Sequence, residues 1–157
     1  VGANIGNNLQ AIRSLIDARL TAVEPNEKAR ARMIAEGIVE PDDAVDAIAS
    51  NLGFADGAFD LSFTSGVLIH IHPDDLPDAC REIHRVTSRY LVAIEYFSNK
   101  PEAIEYRGHS GFLFKRDFGD YYMENFPDLR LLDYGFAWKR ATGLDDLTWW
   151  VFEKHDG

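Results

Sequence analysis

The stretch that most constrains this chain is its opening, "VGANIGNNL", a glycine-punctuated turn that runs directly into a helix. In "NNLQAIRSLI", Leu9, Ile12 and Ile16 recur at helical spacing and Leu15 widens the apolar face. Gly2 and Gly6 let the backbone turn tightly and approach a ligand closely. A turn of this kind normally follows a buried strand that aims it. It commits the chain to alternating strands and helices, because each helix must pack back over the sheet.

The rest of the chain keeps that alternation. "ARLTAVE" reads as a short strand ending at Glu24, and Pro25 and Asn26 open the helix "NEKARARMIAEG", which Gly37 terminates. "DAVDAIAS" reads as a third strand. Asp56-Gly57 marks a turn before the strand "FDLSFTSGVLI". "PDDLPDACREIHRV" reads as a helix with Pro73 in its first turn, Asp74 and Asp75 at the positive end of the dipole, and a buried stripe of Leu76, Ala79, Cys80, Ile83 and Val86. "RYLVAIEYF" is a continuous β-rich run, as expected of a strand covered on both faces. A long loop, "SNKPEAIEYRGHSGF", then leads to a helix around "KRDFGDYYMENF" and two final strands, "LRLLDYGFAW" and "LTWWVFEK". The expected fold is α/β, a Rossmann-like doubly wound and mostly parallel sheet with an antiparallel C-terminal hairpin, in a single domain over 1–157. Trp149 and Trp150 alternate across the last strand, one toward the core and the other toward a helix-covered face.

The charge balance narrows the partners. A formal net charge of −10 argues against nucleic acid and against an anionic membrane surface, both of which require a surplus of Lys and Arg. Cys80 is the only cysteine, so no disulfide framework or cysteine-based zinc site is expected, and a reducing cytoplasm fits. No apolar run approaches the roughly 18 residues of a membrane span. His70 and His72 are two apart, but no third ligand is placed beside them, so no metal is expected. "GHSGF" departs from a nucleophile elbow, because Phe112 stands where the last glycine is required.

Glu24 falls 18 residues after Gly6, at the end of the next strand, where a carboxylate can accept hydrogen bonds from both hydroxyls of a ribose. Two cofactor classes use this arrangement. A dinucleotide calls for G-x-G-x-x-G, so that its pyrophosphate can sit on the helix N-terminus. Here Asn4 holds the middle position, which suits S-adenosylmethionine better, since no pyrophosphate has to be accommodated. A NAD(P)-dependent oxidoreductase stays open as an alternative, as does a plain turn with a solvated Glu24.

With these residues in view, "VGANIG", "AVEPN", "FADGAFDLSFTSGVLIHI" and the helix beginning "PDDL" resemble a class I S-adenosylmethionine-dependent methyltransferase. More narrowly, "GVLIHIHPDDL", "YRGHSGFLFKRDF", "LLDYGF" and "DDLTWWVFEK" resemble the pseudaminic acid biosynthesis-associated methylases, from Val1 to about Lys154. The resemblance implies that Gly2, Asn4 and Gly6 surround the methionine part of the cofactor and that Glu24 holds the ribose. Ile48, Ala49 and Ser50 would lie beside the adenine. None of these is the Asp that many relatives carry there, so either the backbone of Ala49 or the carboxylate of Asp46 serves instead. Thr64, Ser65 and Gly66 would line the floor beneath the reactive methyl. Such relatives carry a complete first strand, an acid before the first glycine and a preceding helix. Here the N-terminal strand is expected to be truncated, which would favour a homodimer through strand pairing or swapping.

Methyl transfer needs acceptor, methyl and sulfur in line, and a hydroxyl acceptor benefits from a base. His70 is placed to take the acceptor's proton or to pack against the cofactor, while His72 is expected at the surface or as a cap. His109, Tyr106 and Arg107 fall in the long loop, where substrate contacts are expected. Arg107 suits a polar, carboxylate-bearing acceptor, since arginine pairs bidentately with carboxylates. Arg116 either continues that pocket or simply precedes a helix that Asp117 begins. The expected activity is methyl transfer to a small polar acceptor, such as a sugar or nucleotide-sugar derivative. A non-catalytic cofactor-binding or assembly module is the alternative from a different class.

Overall fold

A computed structural model describes residues 1–106, 109–143 and 146–155 of the chain. Helix α1 (Asn7–Leu15) follows the glycine turn, with Gly6 as its left-handed N-cap. After β1 (Ala22–Val23) comes α2 (Glu27–Ala35), whose N-cap Asn26 accepts hydrogen bonds from the backbone of Lys28 and Ala29. Strands β2 (Ala44–Val45) and β3 (Phe59–Ser65) precede α3 (Leu76–Val86), which leads straight into β4 (Thr87–Glu95). The antiparallel pair β5 (Glu102–Tyr106) and β6 (His109–Lys115) comes next, then α4 (Phe118–Asn125), β7 (Leu129–Ala137), the short α5 (Lys139–Thr142) and β8 (Leu147–Lys154).

A four-stranded sheet runs in the order β3-β4-β8-β7, and β1 and β2 form a separate parallel pair. Strands β3 and β4 are parallel, while β8 runs antiparallel to both of its neighbours. The opening residues bridge the two pieces. The Val1 backbone nitrogen donates to the Phe63 carbonyl at 2.9 Å, and the Ala3 N–H donates to the Val23 carbonyl at 3.0 Å. One residue further on, the Asn4 N–H reaches the Glu24 side chain at 2.7 Å. The segment therefore rises alongside β1 on one flank and β3 on the other. All these C-terminal strand ends meet at one edge, where an open α/β sheet presents its binding crevice.

The larger core packs α3 and α4 against the sheet. Leu76, Ala79, Cys80, Ile83 and Val86 are all buried, as their spacing on α3 predicts, together with Leu91, Phe118, Tyr122 and Phe152. Trp150 is buried as well, its indole lying where a Cβ on Gly119 would have to go. A smaller cluster of Leu9, Ala22, Met33, Ile38 and Val39 sits beneath the glycine turn.

Several elements differ from the expected ones. The loop expected over 98–112 gives way to the β5–β6 hairpin, which runs on to Lys115, because alternation in "EAIEY" and "HSGFLFK" is satisfied by pairing the two segments with each other. Pro73 lies outside α3. A turn in which the His72 carbonyl accepts from Asp75 and Leu76 precedes the helix, so Pro77 rather than Pro73 occupies its first turn. The strand expected over 43–50 ends at Val45, and the bridge between Ile48 and Asn51 closes a tight turn after it. Leu15 and Ile16 are exposed, because α1 buries only Leu9 on the smaller core.

Candidate functional site

The glycine turn owes its shape to three consecutive excursions into left-handed backbone: Gly2 at φ 67°, Asn4 at 50° and Gly6 at 85°. A Cβ on Gly2 would collide with the Val67 side chain, and one on Gly6 would lie 2.9 Å from Met33 Cγ and 3.0 Å from Ile38 Cγ2. Glycine is therefore required twice over, by dihedral and by contact. Asn4 tolerates its conformation because asparagine enters this region more readily than other residues that carry a Cβ.

Glu24 follows β1 and closes onto the turn. One carboxylate oxygen accepts the Asn4 N–H at 2.7 Å, and the other accepts the Asn26 N–H at 3.0 Å. A carboxylate offers about four acceptor sites, so each oxygen keeps room for a further donor. The pairs Ala22 with Ala44 and Val23 with Val45 put Asp46 beside Glu24, one strand over. Arg30 joins them: its guanidinium donates to the Glu24 carbonyl at 2.6 Å and to the Asp46 carboxylate at 2.9 Å. Asp46, not Ala49 or Ser50, is thus the first side chain beyond β2 at the crevice. Ala49 and Ser50 occupy the tip of the turn that Ile48 and Asn51 close.

On the other flank, β3 ends at Ser65 and the chain bends at Gly66, whose φ is 64° and whose N–H donates to the Ile94 carbonyl at 2.8 Å. A short 3-10 turn, Leu68–His70, follows. It is held from beneath by Glu95, the last residue of β4, which is wholly buried and accepts the N–H of Val67 at 3.2 Å and of Ile69 at 3.5 Å. Burial pushes the Glu95 carboxyl up to about 7, against the opposing pull of these N–H donors and of Thr64. The buried Thr64 hydroxyl lies close enough to that carboxyl to favour its charged form, but it meets no partner in full hydrogen-bond geometry. His70 ends the 3-10 turn with its side chain exposed.

The β5–β6 hairpin folds over this turn, and the Phe114 ring meets His72 edge-on at 5.4 Å. His72 is exposed and acts locally, its Nδ1 accepting the Asp74 N–H at 3.3 Å. Between hairpin and turn lies a cavity of about 190 Å³ bounded by Leu68, Ile71, Phe114, Arg116 and Phe118. The backbone register pairs Tyr106 with His109 at the far end of the hairpin. The side chains of Tyr106 and His109 lie outside what is described, and Arg107 lies outside the described residues. A larger cavity, about 620 Å³, opens between α4 and β7 against Phe97, Tyr134, Phe136 and Trp150, and none of the expected site residues lines it.

The structure therefore gathers Gly2, Asn4, Gly6 and Glu24 into one constellation, with Gly66 and Thr64 on its β3 flank and His70 beyond them. Ala49 and Ser50 lie further along the segment that follows Asp46, in the turn that Ile48 and Asn51 close. Sequence reasoning missed Glu95 and Arg30. The signal for Glu95 was present, an acid closing the apolar run "LVAIE" of a strand covered on both faces.

Comparison with known proteins agrees with the fold. The sequence profile of a methyltransferase domain matches residues 1–90, more than half of the 157-residue chain. A search of curated protein sequences found no significant match. Among solved structures, a Burkholderia thailandensis 1,6-didemethyltoxoflavin-N1-methyltransferase with bound S-adenosylhomocysteine is similar at a TM-score of 0.78 and 18% identity, covering 99% of this chain and 69% of its own. A S-adenosylmethionine-dependent methyltransferase from Methanosarcina mazei is similar at 0.72 and 15% identity, covering 98% of this chain and 89% of its own. The [4+2]-cyclase SpnF is similar at 0.73 and 15% identity, covering 99% of this chain and 74% of its own. At such identities the likeness is one of fold, and fold alone does not fix a reaction. The profile match is what assigns the family: this chain belongs to the methyltransferase domain family.

Proposed function

We propose that the chain binds S-adenosylmethionine in the crevice between the glycine turn and Glu24, and transfers its methyl group to a small polar acceptor. The observation that carries this reading is the Glu24 carboxylate, locked by two backbone N–H groups at 2.7 and 3.0 Å and left with one free acceptor site on each oxygen. Two remaining acceptor sites, one on each oxygen, match in number the two adjacent hydroxyls of a ribose. In the turn beside it, Gly2 packs closely on Val67 and Gly6 on Met33 and Ile38, so neither position has room for a side chain. The residues present thus fit the cofactor.

When bound, the cofactor supplies a methyl group on a sulfonium, activated toward a nucleophile without help from the protein. What the chain contributes is position and proton handling. Gly2, Asn4 and Gly6 orient the cofactor's methionine end, and Glu24 fixes its ribose. Asp46, held by Arg30, and the 48–50 turn flank the adenine side. Gly66 and Thr64 form the floor, and Glu95 sets the backbone of 67–69 so that His70 faces the acceptor side. There an imidazole is suited to accept the acceptor's proton. The acceptor is, in this reading, a sugar or nucleotide-sugar derivative, supported by the "YRGH", "LFKRDF" and "DDLTWWVFEK" segments shared with pseudaminic acid biosynthesis-associated methylases.

Isothermal titration calorimetry with S-adenosylmethionine, S-adenosylhomocysteine and NAD tests the reading, with Glu24→Ala as control. Micromolar binding of both sulfur ligands, weakened at least tenfold in the variant, is the expected result. Binding of NAD alone would overturn it.

A further inference from the structure

We infer that the cavity between the β5–β6 hairpin and the Leu68–His70 turn is an acceptor subsite for an anionic group, a carboxylate or a phosphate, with Arg116 as its anchor. This inference rests on the methyltransferase reading for its function, though not for its chemistry.

Arg116 is the anomalous residue of this region. Its Nε is buried without a hydrogen-bond partner. No acidic side chain among the described residues forms an ion pair with it, in a chain that carries 26 acids against 16 Lys and Arg. The guanidinium stacks on the Tyr121 ring at 4.3 Å, which fixes its plane but satisfies none of its five donors. Arg116 is partly buried, and a cation drawn partly out of water is normally paired, since the cost of desolvation is otherwise uncompensated. An arginine held flat on a ring at the wall of a cavity is suited to pair bidentately with a planar or tetrahedral oxyanion.

The surroundings agree. Lys115 stands opposite Glu102 in the hairpin register and lies 5.1 Å above the Tyr96 ring. Glu102 and Lys115 both line the cavity, one charge of each sign, so Arg116 leaves a net positive charge on the lining of the cavity. Its volume of about 190 Å³ equals about six waters of liquid, the scale of one compact ring or a small acid rather than a polymer. Leu68, in the same 3-10 turn as His70, and Ile71, next to His70 in the chain, line the same cavity, so an anion held by Arg116 would stand next to the turn that carries the candidate base.

The test follows thermal unfolding of the protein, with and without saturating S-adenosylhomocysteine, in glucuronate, glucose 1-phosphate and glucose at constant ionic strength. Wild type, Arg116→Met and Arg116→Lys are compared. At ten times its dissociation constant, at least one of the two anions is expected to raise Tm by about 3–6 °C in wild type. Neutral glucose should not. Arg116→Met should abolish the rise, and Arg116→Lys should keep a smaller one, because it retains charge without the fork. A preference for glucuronate or for glucose 1-phosphate identifies the oxyanion. No rise with either anion, or equal rises in wild type and Arg116→Met, would overturn the inference. Absence of any stabilisation by S-adenosylhomocysteine would instead remove the functional reading, while leaving the anion arms interpretable.

Discussion

Replacing Glu95 by Gln separates two contributions that this carboxyl makes. In the folded chain it is buried beneath the 67–69 backbone and pushed from its ordinary 4.5 up to about 7. The folded state therefore binds this proton more tightly than the unfolded state. Stability from this group is greatest at low pH and is lost as the pH rises from about 4.5 to about 7, after which it levels off. At about 1.4 kcal/mol per pH unit the loss comes to about 3 kcal/mol. Glutamine carries no charge at any pH, so that loss vanishes in the variant. It has only one oxygen, so one of the two N–H groups loses its acceptor, at a pH-independent cost of about 1–2 kcal/mol. The two effects have opposite signs. Glu95→Gln should be less stable than wild type near pH 5 and more stable near pH 8, with a crossover between. Urea denaturation of both proteins at four pH values measures this directly, with midpoints moving relative to each other by about 1–2 M. A stability difference that stays constant from pH 5 to 8 would refute the reasoning.

Three further outcomes follow from the same structure. Gly6→Ala should cost about 2–3 kcal/mol, from the strained left-handed backbone and the contact with Met33 and Ile38, read as a lower urea midpoint at unchanged slope. Cys80 is buried and its thiol is pushed up to about 12, chiefly by burial, so a disulfide reagent at pH 8 should leave it untouched in native protein and modify it in denaturant; rapid native reaction would contradict its placement. His84 stacks on Phe126 and faces the Asp128 carboxylate at 2.9 Å. Burial holds its titration below the usual 6.5 while Asp128 raises it, so an NMR titration of Asp128→Asn should show a lower midpoint still, and an upward move would reverse the attribution.

Much of this molecule is legible in local sequence. The stripe Leu76, Ala79, Cys80, Ile83 and Val86 has one physical solution, a helix with one face buried, and α3 has it. The glycine turn and Glu24 are legible for a similar reason. A Gly at each end, Asn between and an acid closing the next short strand leave few ways for the backbone to run. Short strands are another matter. Nothing in "DAVDAIAS" says that the ladder stops at Val45, because two-residue strands owe their existence to a neighbour's hydrogen bonds, here those between β1 and β2. The hairpin inside the expected loop was hidden for the same reason, since pairing partners are not written next to each other in composition or periodicity.

What the sequence determined by itself was the alternating α/β class, the faces that α3 buries and the chemistry available at the crevice, all properties of residues within a turn or two of one another. Only the tertiary structure decided that Asp46 rather than Ala49 or Ser50 stands beside Glu24, that Glu95 holds the turn carrying His70, and that Arg116 lines a cavity with no ion-pair partner among the described residues. Each of those joins residues from separate elements. Their relation is set by sheet register and helix packing, long-range terms to which no local pattern of side chains is sensitive.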